Sequence, residues 1–228
     1  MFDVETLNKF YDYISAVDGV GITDFQNRLK TLFAMDRSDG DLNDYRLGKN
    51  QWKKLRDEIT PVSHFLQFKK IEAGKIRFPL DNNTPDCWLS NDNGDDLGIE
   101  VTIERGREKY HLVKEMNEAG IGRGFIGIQD DAPQADFDKR MSNPRTMYVS
   151  EQALEATKNG ILLCLSKKND PRYEGVFYLL IQAHLSTLPK ERWGSLIEEL
   201  SQNATDLPFQ EVYIIGKADA KPWGFQVK

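Results

Sequence analysis

The chain has 228 residues, a formal net charge of −6, and 39% hydrophobic and 29% charged residues. That balance excludes a disordered chain, and the longest apolar run, near residues 160–165, is far shorter than the ~18 residues of a membrane span. The acidic surplus argues against tight nonspecific binding of nucleic acid but allows a local basic groove. The N-terminal residues are acidic where a secretion signal is basic. Cys87 and Cys164 lie in apolar surroundings and read as buried free thiols, with no Cys/His spacing for zinc. These features give the expectation of a cytoplasmic protein with no membrane partner.

The first third is helical in pattern. Leu7, Phe10, Tyr11, Ile14 and Val17 recur at helical spacing, and Gly19-Val20-Gly21 breaks the run. Thr23 or Asp24 is positioned to cap a second helix with Phe25, Leu29, Leu32 and Phe33 on one face. Residues 36–48 read as a loop. A third helix starts near Gln51, carries Trp52, Leu55 and Ile59, and is interrupted at Pro61. A further helix spans 63–72. Trp52, Lys53, Lys54 and Arg56 form a basic-aromatic patch. At Gly74 the character changes. Lys75 to Leu80 alternates as a strand does. Residues 85–104 read as a β-hairpin around the turn-rich 91–96. In its second strand Ile99, Val101 and Ile103 share one face, and Glu100, Thr102 and Glu104 the other. A helix over 107–119, a strand over 124–128, a polar excursion over 130–147 and a helix over 150–166 follow. A strand within 173–185, a helix over 190–203 and a last buried strand over 210–216 complete the pattern. Strands alternating with helices predict a mixed α/β fold, a central mixed sheet flanked by helices. The expected division is a helical N-terminal extension over 1–60 and an α/β core over 61–228.

The hairpin carries the chemistry. Hard divalent cations take carboxylate and carbonyl oxygens, and phosphodiester hydrolysis uses such a cation to neutralise charge and activate water. Asp86 at the start of one strand and Glu100 inside its neighbour are placed to share one. Pro85-Asp86, then thirteen residues, then Glu100-Val101-Thr102 resembles the motif of the PD-(D/E)XK nuclease superfamily. The order of helical lead-in, strand, hairpin, helix and strand is similar as well. The resemblance implies a restriction-endonuclease-like core and a metal-dependent nuclease, with Mg²⁺ or Mn²⁺ as cofactor. It implies nucleic acid as partner, with a second copy or another protein as possible further partners, and a setting in bacterial defence or mobile-element biology. It implies Asp86 and Glu100 as metal ligands, the Val101 carbonyl as a third, and Glu72 on the preceding helix as an additional acid. The motif's lysine position is held by Thr102, which cannot supply a positive charge. Lys109 or Lys114 on the following helix could substitute, Lys109 being preferred.

Other readings stand beside this one. Asp86 can be a turn residue, and Glu100, Thr102 and Glu104 can be the solvated face of an edge strand. The glycines of 120–124 suit a tight turn rather than a dinucleotide loop, which would follow a strand and open a helix. His111 reads as packed, Arg105 and Arg107 as solvated or phosphate-touching, and Lys167-Lys168 as a helix-end pair or a DNA contact. A catalytically inactive nuclease-like scaffold that binds nucleic acid or protein is the alternative function. An unrelated α/β regulatory module is a third.

Overall fold

The computed structural model describes residues 2–81, 83–91, 96–120, 125–143 and 148–228. The N-terminal helices are α1 (Val4–Ile14), α2 (Ile22–Ala34), α3 (Asp39–Leu47), α4 (Trp52–Lys54) and α5 (Thr60–Lys69). Asp3 caps α1 by accepting from the Thr6 N–H. Gly21, not Thr23 or Asp24, is the N-cap of α2. The polar stretch expected to be a loop folds into α3, because Ser38 caps its start and Gly48 ends it in the left-handed region.

Pro61 does not interrupt the third helix. Between α4 and α5 the chain runs through a π-helical turn, Leu55–Ile59. A proline has no N–H for the i→i−4 ladder, and the wider turn absorbs that gap. The Thr60 hydroxyl donates to the Leu55 carbonyl at 2.7 Å. The helix continues to Lys69, short of the residue 72 expected.

The strands are β1 (Val20–Gly21), β2 (Lys75–Arg77), β3 (Cys87–Ser90), β4 (Asp96–Ile103), β5 (Tyr178–Gln182), β6 (Glu211–Ala218) and β7 (Lys221–Gln226). They form one seven-stranded sheet in sequence order. β1 through β4 pair antiparallel, β4, β5 and β6 parallel, and β6 and β7 antiparallel. The protein is therefore mixed α/β with helices on a mixed sheet. The hairpin forms with Cys87 opposite Ile99 and Ser90 opposite Asp96; its tip, 92–95, lies outside the described residues. β1 and β7 went unseen in the sequence. Pro222 and Gly224 obscure β7, an edge strand where proline is tolerated.

After β4 come α6 (Gly106–Ala119), α7 (Gln134–Met141) and α8 (Ser150–Lys168); α9 (Lys190–Trp193) and α10 (Ile197–Ala204) lie between β5 and β6. The strand expected over 124–128 is not formed in its described part, 125–128. The backbone N–H groups of Ile126 and Ile128 donate to the Glu108 carboxylate instead, at 3.1 and 2.8 Å. A side chain here takes the place of a neighbouring strand. The excursion over 130–147 contains α7, and the glycine turn at 121–124 lies outside the described residues.

Alternation on the parallel strands separates two apolar layers. Ile99, Val101, Leu180, Tyr213 and Ile215 face the N-terminal helices and join one cluster with Leu7, Phe25, Leu55 and Phe65. Leu179, Ile181, Val212 and Ile214 face α8 and the α9–α10 segment, with Ile161, Leu165 and Leu200. The helices of 4–59 thus share a continuous core with the sheet. Trp52 is wholly buried in that cluster, so the basic-aromatic patch does not present its aromatic member. No described helix is long and apolar enough to cross a membrane.

Candidate active site

Glu100, Thr102 and Glu104 do not lie on a wet edge. β4 is an interior strand, and α8 covers this face. Glu100 and Glu104 are 6% and 4% exposed. At Gly160 of α8 an added Cβ would stand 2.8 Å from the Glu104 Cγ, so only glycine lets the helix approach this closely. Further along α8, the Lys168 ammonium sits 2.6 Å from Glu100 Oε1. Burial opposes the Lys168 charge, but Glu100 more than offsets it and raises the Lys168 pKa. Glu100 Oε2 is buried and has no hydrogen-bond partner among the described residues.

Asp86 stands just before β3. Pro85 packs against Gly98 of β4, and Asp86 Oδ2 accepts the Val101 N–H at 2.8 Å. Backbone groups alternate between a strand's two neighbours. Glu104 donates its N–H to Gln182 at the β5 side, so Val101, of opposite parity, turns its N–H and carbonyl to the Asp86 side. Burial, then the negative charges of Glu100 and Glu58, push the Asp86 carboxyl up to about 7.

Glu72 does not line the cleft that Asp86 and Glu100 share. Glu72 lies beyond α5, is exposed, and borders a separate groove with Thr23 and Lys70. The acid that reaches the site from the preceding helix is Glu58, on the π-turn. Asp86, Glu100, Val101, Thr102, Glu58, Asp57, Lys53, Arg56 and Lys109 line one open cleft of about 370 Å³. Burial raises the Glu58 pKa, although Lys54 lies 3.3 Å away. Arg56 and Lys53 pair with Asp57 at 2.6 and 3.1 Å, so the basic residues of the supposed patch are engaged along the cleft wall. The lysine nearest the acids is Lys168, whereas Lys109 bonds Gln182 at 3.4 Å and burial lowers its pKa. Lys114 instead faces Glu118, 3.9 Å away on its own helix. The fitting feature for Glu58 was present in the sequence only as a proline within an otherwise helical pattern; Lys168 had no signal beyond its place at a helix end.

The remaining candidates have structural partners. Arg105 is buried between Glu104 and Glu108, which hold its charge. Arg107 donates to the Ala132 carbonyl at 2.9 Å, and His111 packs on Phe137 at 4.7 Å between ring centres. Cys87 and Cys164 are buried free thiols.

Among the described residues, no three His, Cys, Asp or Glu side chains are grouped so that together they could hold a metal ion. The donor chemistry nevertheless fits a hard cation. Two mutually repelling carboxylates, one of them carrying an orphaned buried oxygen, line the same cleft, and the Val101 carbonyl turns toward it. Lys168 holds Oε1 of Glu100 and leaves Oε2 without a partner among the described residues. No family model matches the chain, and neither a curated protein nor a solved structure matches it.

Proposed function

We propose that the protein is a divalent-metal-dependent nuclease on a restriction-endonuclease-like core. The observation that carries this reading is the convergence of Asp86, Glu100 and Glu58 on one cleft, with the Asp86 carboxyl raised to about 7 by burial and by the other two acids. Mutual repulsion of this kind is relieved by a cation. Asp86, Glu100 and the Val101 carbonyl would hold Mg²⁺ or Mn²⁺, with Glu58 as the additional acid. When bound, such an ion neutralises phosphate charge and lowers the pKa of a coordinated water. Lys168 supplies the positive charge that Thr102 lacks, from a helix rather than from the strand. Lys109 gives the cleft wall a cation for the phosphate backbone, Arg56 being held by Asp57.

A second reading is favoured by one contact. The Lys168 ammonium already neutralises Glu100 at 2.6 Å, as an internal counter-ion would in a scaffold that binds nucleic acid without cutting it. Titration with Mn²⁺ separates the two, comparing wild type with Asp86→Ala and Glu100→Ala on plasmid and single-stranded substrates. Metal binding and cleavage lost together in both variants support the nuclease. Metal binding without cleavage supports the inactive scaffold, and absence of metal binding in wild type refutes the metal site.

A further inference from the structure

A second cavity of about 420 Å³ adjoins the acidic cleft, and Lys109 lines both. It opens where the carboxyl ends of the parallel strands converge: Ile103 and Glu104 leave β4, Gln182 to His184 leave β5, and Gly216 and Lys217 stand near the end of β6. Ligands of α/β sheets bind in crevices at such ends. One wall is apolar, made of Ile103, Leu112, Val113, Met116 and Ala183. The other presents polar nitrogen. Among the described residues, Lys109 is engaged by the Gln182 side-chain oxygen alone, at 3.4 Å, and no carboxylate pairs with it. His64 Nδ1 is buried and has no hydrogen-bond partner among the described residues. Burial, then Lys217 and Lys109, lower the His64 pKa to about 4, leaving its ring neutral at physiological pH. Glu104 and Glu108 also border the cavity, but both are bound to Arg105.

The chemistry asked for is a flat body with apolar faces, polar edges and an anionic end near Lys109. The size lies within the range of pockets that enclose a small ligand, about 300–1,000 Å³. We propose that this cavity receives one unpaired nucleotide of the strand whose phosphate lies at Asp86 and Glu100, with Lys109 between base pocket and phosphate. The proposal rests on the nuclease reading and narrows its substrate to single-stranded or locally unpaired nucleic acid. A base inside a duplex cannot enter a closed pocket without leaving the stack, whereas an unpaired base offers both its faces and its edges.

The test is calorimetric titration of the full chain in EDTA with thymidine and adenosine 5′-monophosphates, the matching nucleosides and inorganic phosphate. The two pocket variants are Val113→Trp on α6 and Ser186→Trp after β5, which obstruct the cavity from different elements without touching the acids. The monophosphates are expected to bind at least about tenfold tighter than nucleoside or phosphate alone, the sum of two partial contacts. Each tryptophan variant should weaken that binding by a similar factor at an unchanged melting temperature. A single-stranded oligonucleotide should compete, and a blunt duplex of the same sequence should not. Absence of saturable mononucleotide binding, equal binding of phosphate alone, or wild-type affinity in both folded variants would overturn the proposal. Mn²⁺ titration of the same samples keeps the readings apart. Mononucleotide binding without Mn²⁺ binding removes the nuclease and leaves the pocket. Mn²⁺ binding lost in Asp86→Ala, without mononucleotide binding in wild type, removes the pocket alone.

Discussion

Asp86→Asn should make the metal-free protein more stable, by an amount that grows with pH. In the folded chain the Asp86 carboxyl titrates at about 7 instead of 3.8, through burial and then the charges of Glu100 and Glu58, with Lys168 acting the other way. A raised acid pKa means that the folded state holds its proton more tightly than the unfolded state. The stability this provides is complete below the unfolded pKa and is lost as pH rises to the folded value. The full difference corresponds to roughly 4 kcal/mol at ~1.36 kcal/mol per unit. Asp86 is only half-buried, and solvent screening reduces this to about 2 kcal/mol. For a chain of this size that is a gain of roughly 4–8 °C at pH 8. Asparagine keeps an oxygen to accept the Val101 N–H, so the hydrogen bond survives while the charge goes. Linkage puts the gain at pH 5 at roughly a third of that at pH 8, with a plateau above about pH 7. Thermal unfolding of both proteins in EDTA from pH 4 to pH 9 measures it. A difference in melting temperature that stays flat or shrinks as pH rises would refute the proposed electrostatics of the cleft.

Other perturbations test neighbouring parts of the same arrangement. Lys168→Met removes the partner of buried Glu100 and should cost about 3 kcal/mol in EDTA; Mn²⁺ should restore more of the melting temperature in this variant than in wild type. Glu58→Ala should weaken Mn²⁺ binding by roughly tenfold, on the order of 1.4 kcal/mol, while Glu72→Ala should leave the isotherm unchanged. An equal effect from both would dissolve the distinction between the two acids. Gly160→Ala forces a methyl group against the Glu104 side chain and should destabilise by about 1–3 kcal/mol, read from the urea midpoint. An unaltered midpoint would mean that α8 does not press on β4 as described.

The period-two pattern of β4 identified its two faces, and the turn-rich 91–96 before it marked the hairpin; the register came only with the structure. The pattern left open which face meets water, because an interior strand covered on both sides can carry Glu100 and Glu104 as readily as an edge strand can. Only the parallel pairing with β5 and the closeness permitted by Gly160 bury them. The acids of the cleft were partly legible. Asp86 and Glu100 lie on a local hairpin and could be read from it. Glu58 and Lys168 come from helices whose docking on the sheet depends on contacts far away in sequence. Residues 125–128 have the composition of a strand, yet their backbone N–H groups go to Glu108, a competition that local propensity does not register.

The π-turn at Leu55–Ile59 has a consequence for the tolerance of this chain to length changes. Such a turn holds one residue more than the α-helical register needs. Deleting one residue there would let the helix close into uniform α geometry with the turns on either side close to their present phase. Deleting one from the regular turns of α5 instead would swing each residue upstream by about 100°, rotating Trp52 and Leu55 out of the core cluster and Asp57 and Glu58 away from Asp86. The protein would be expected to withstand the loss of a single amino acid at the π-turn better than within α5, because phase along this helix couples the burial of its apolar face to the aim of its acids.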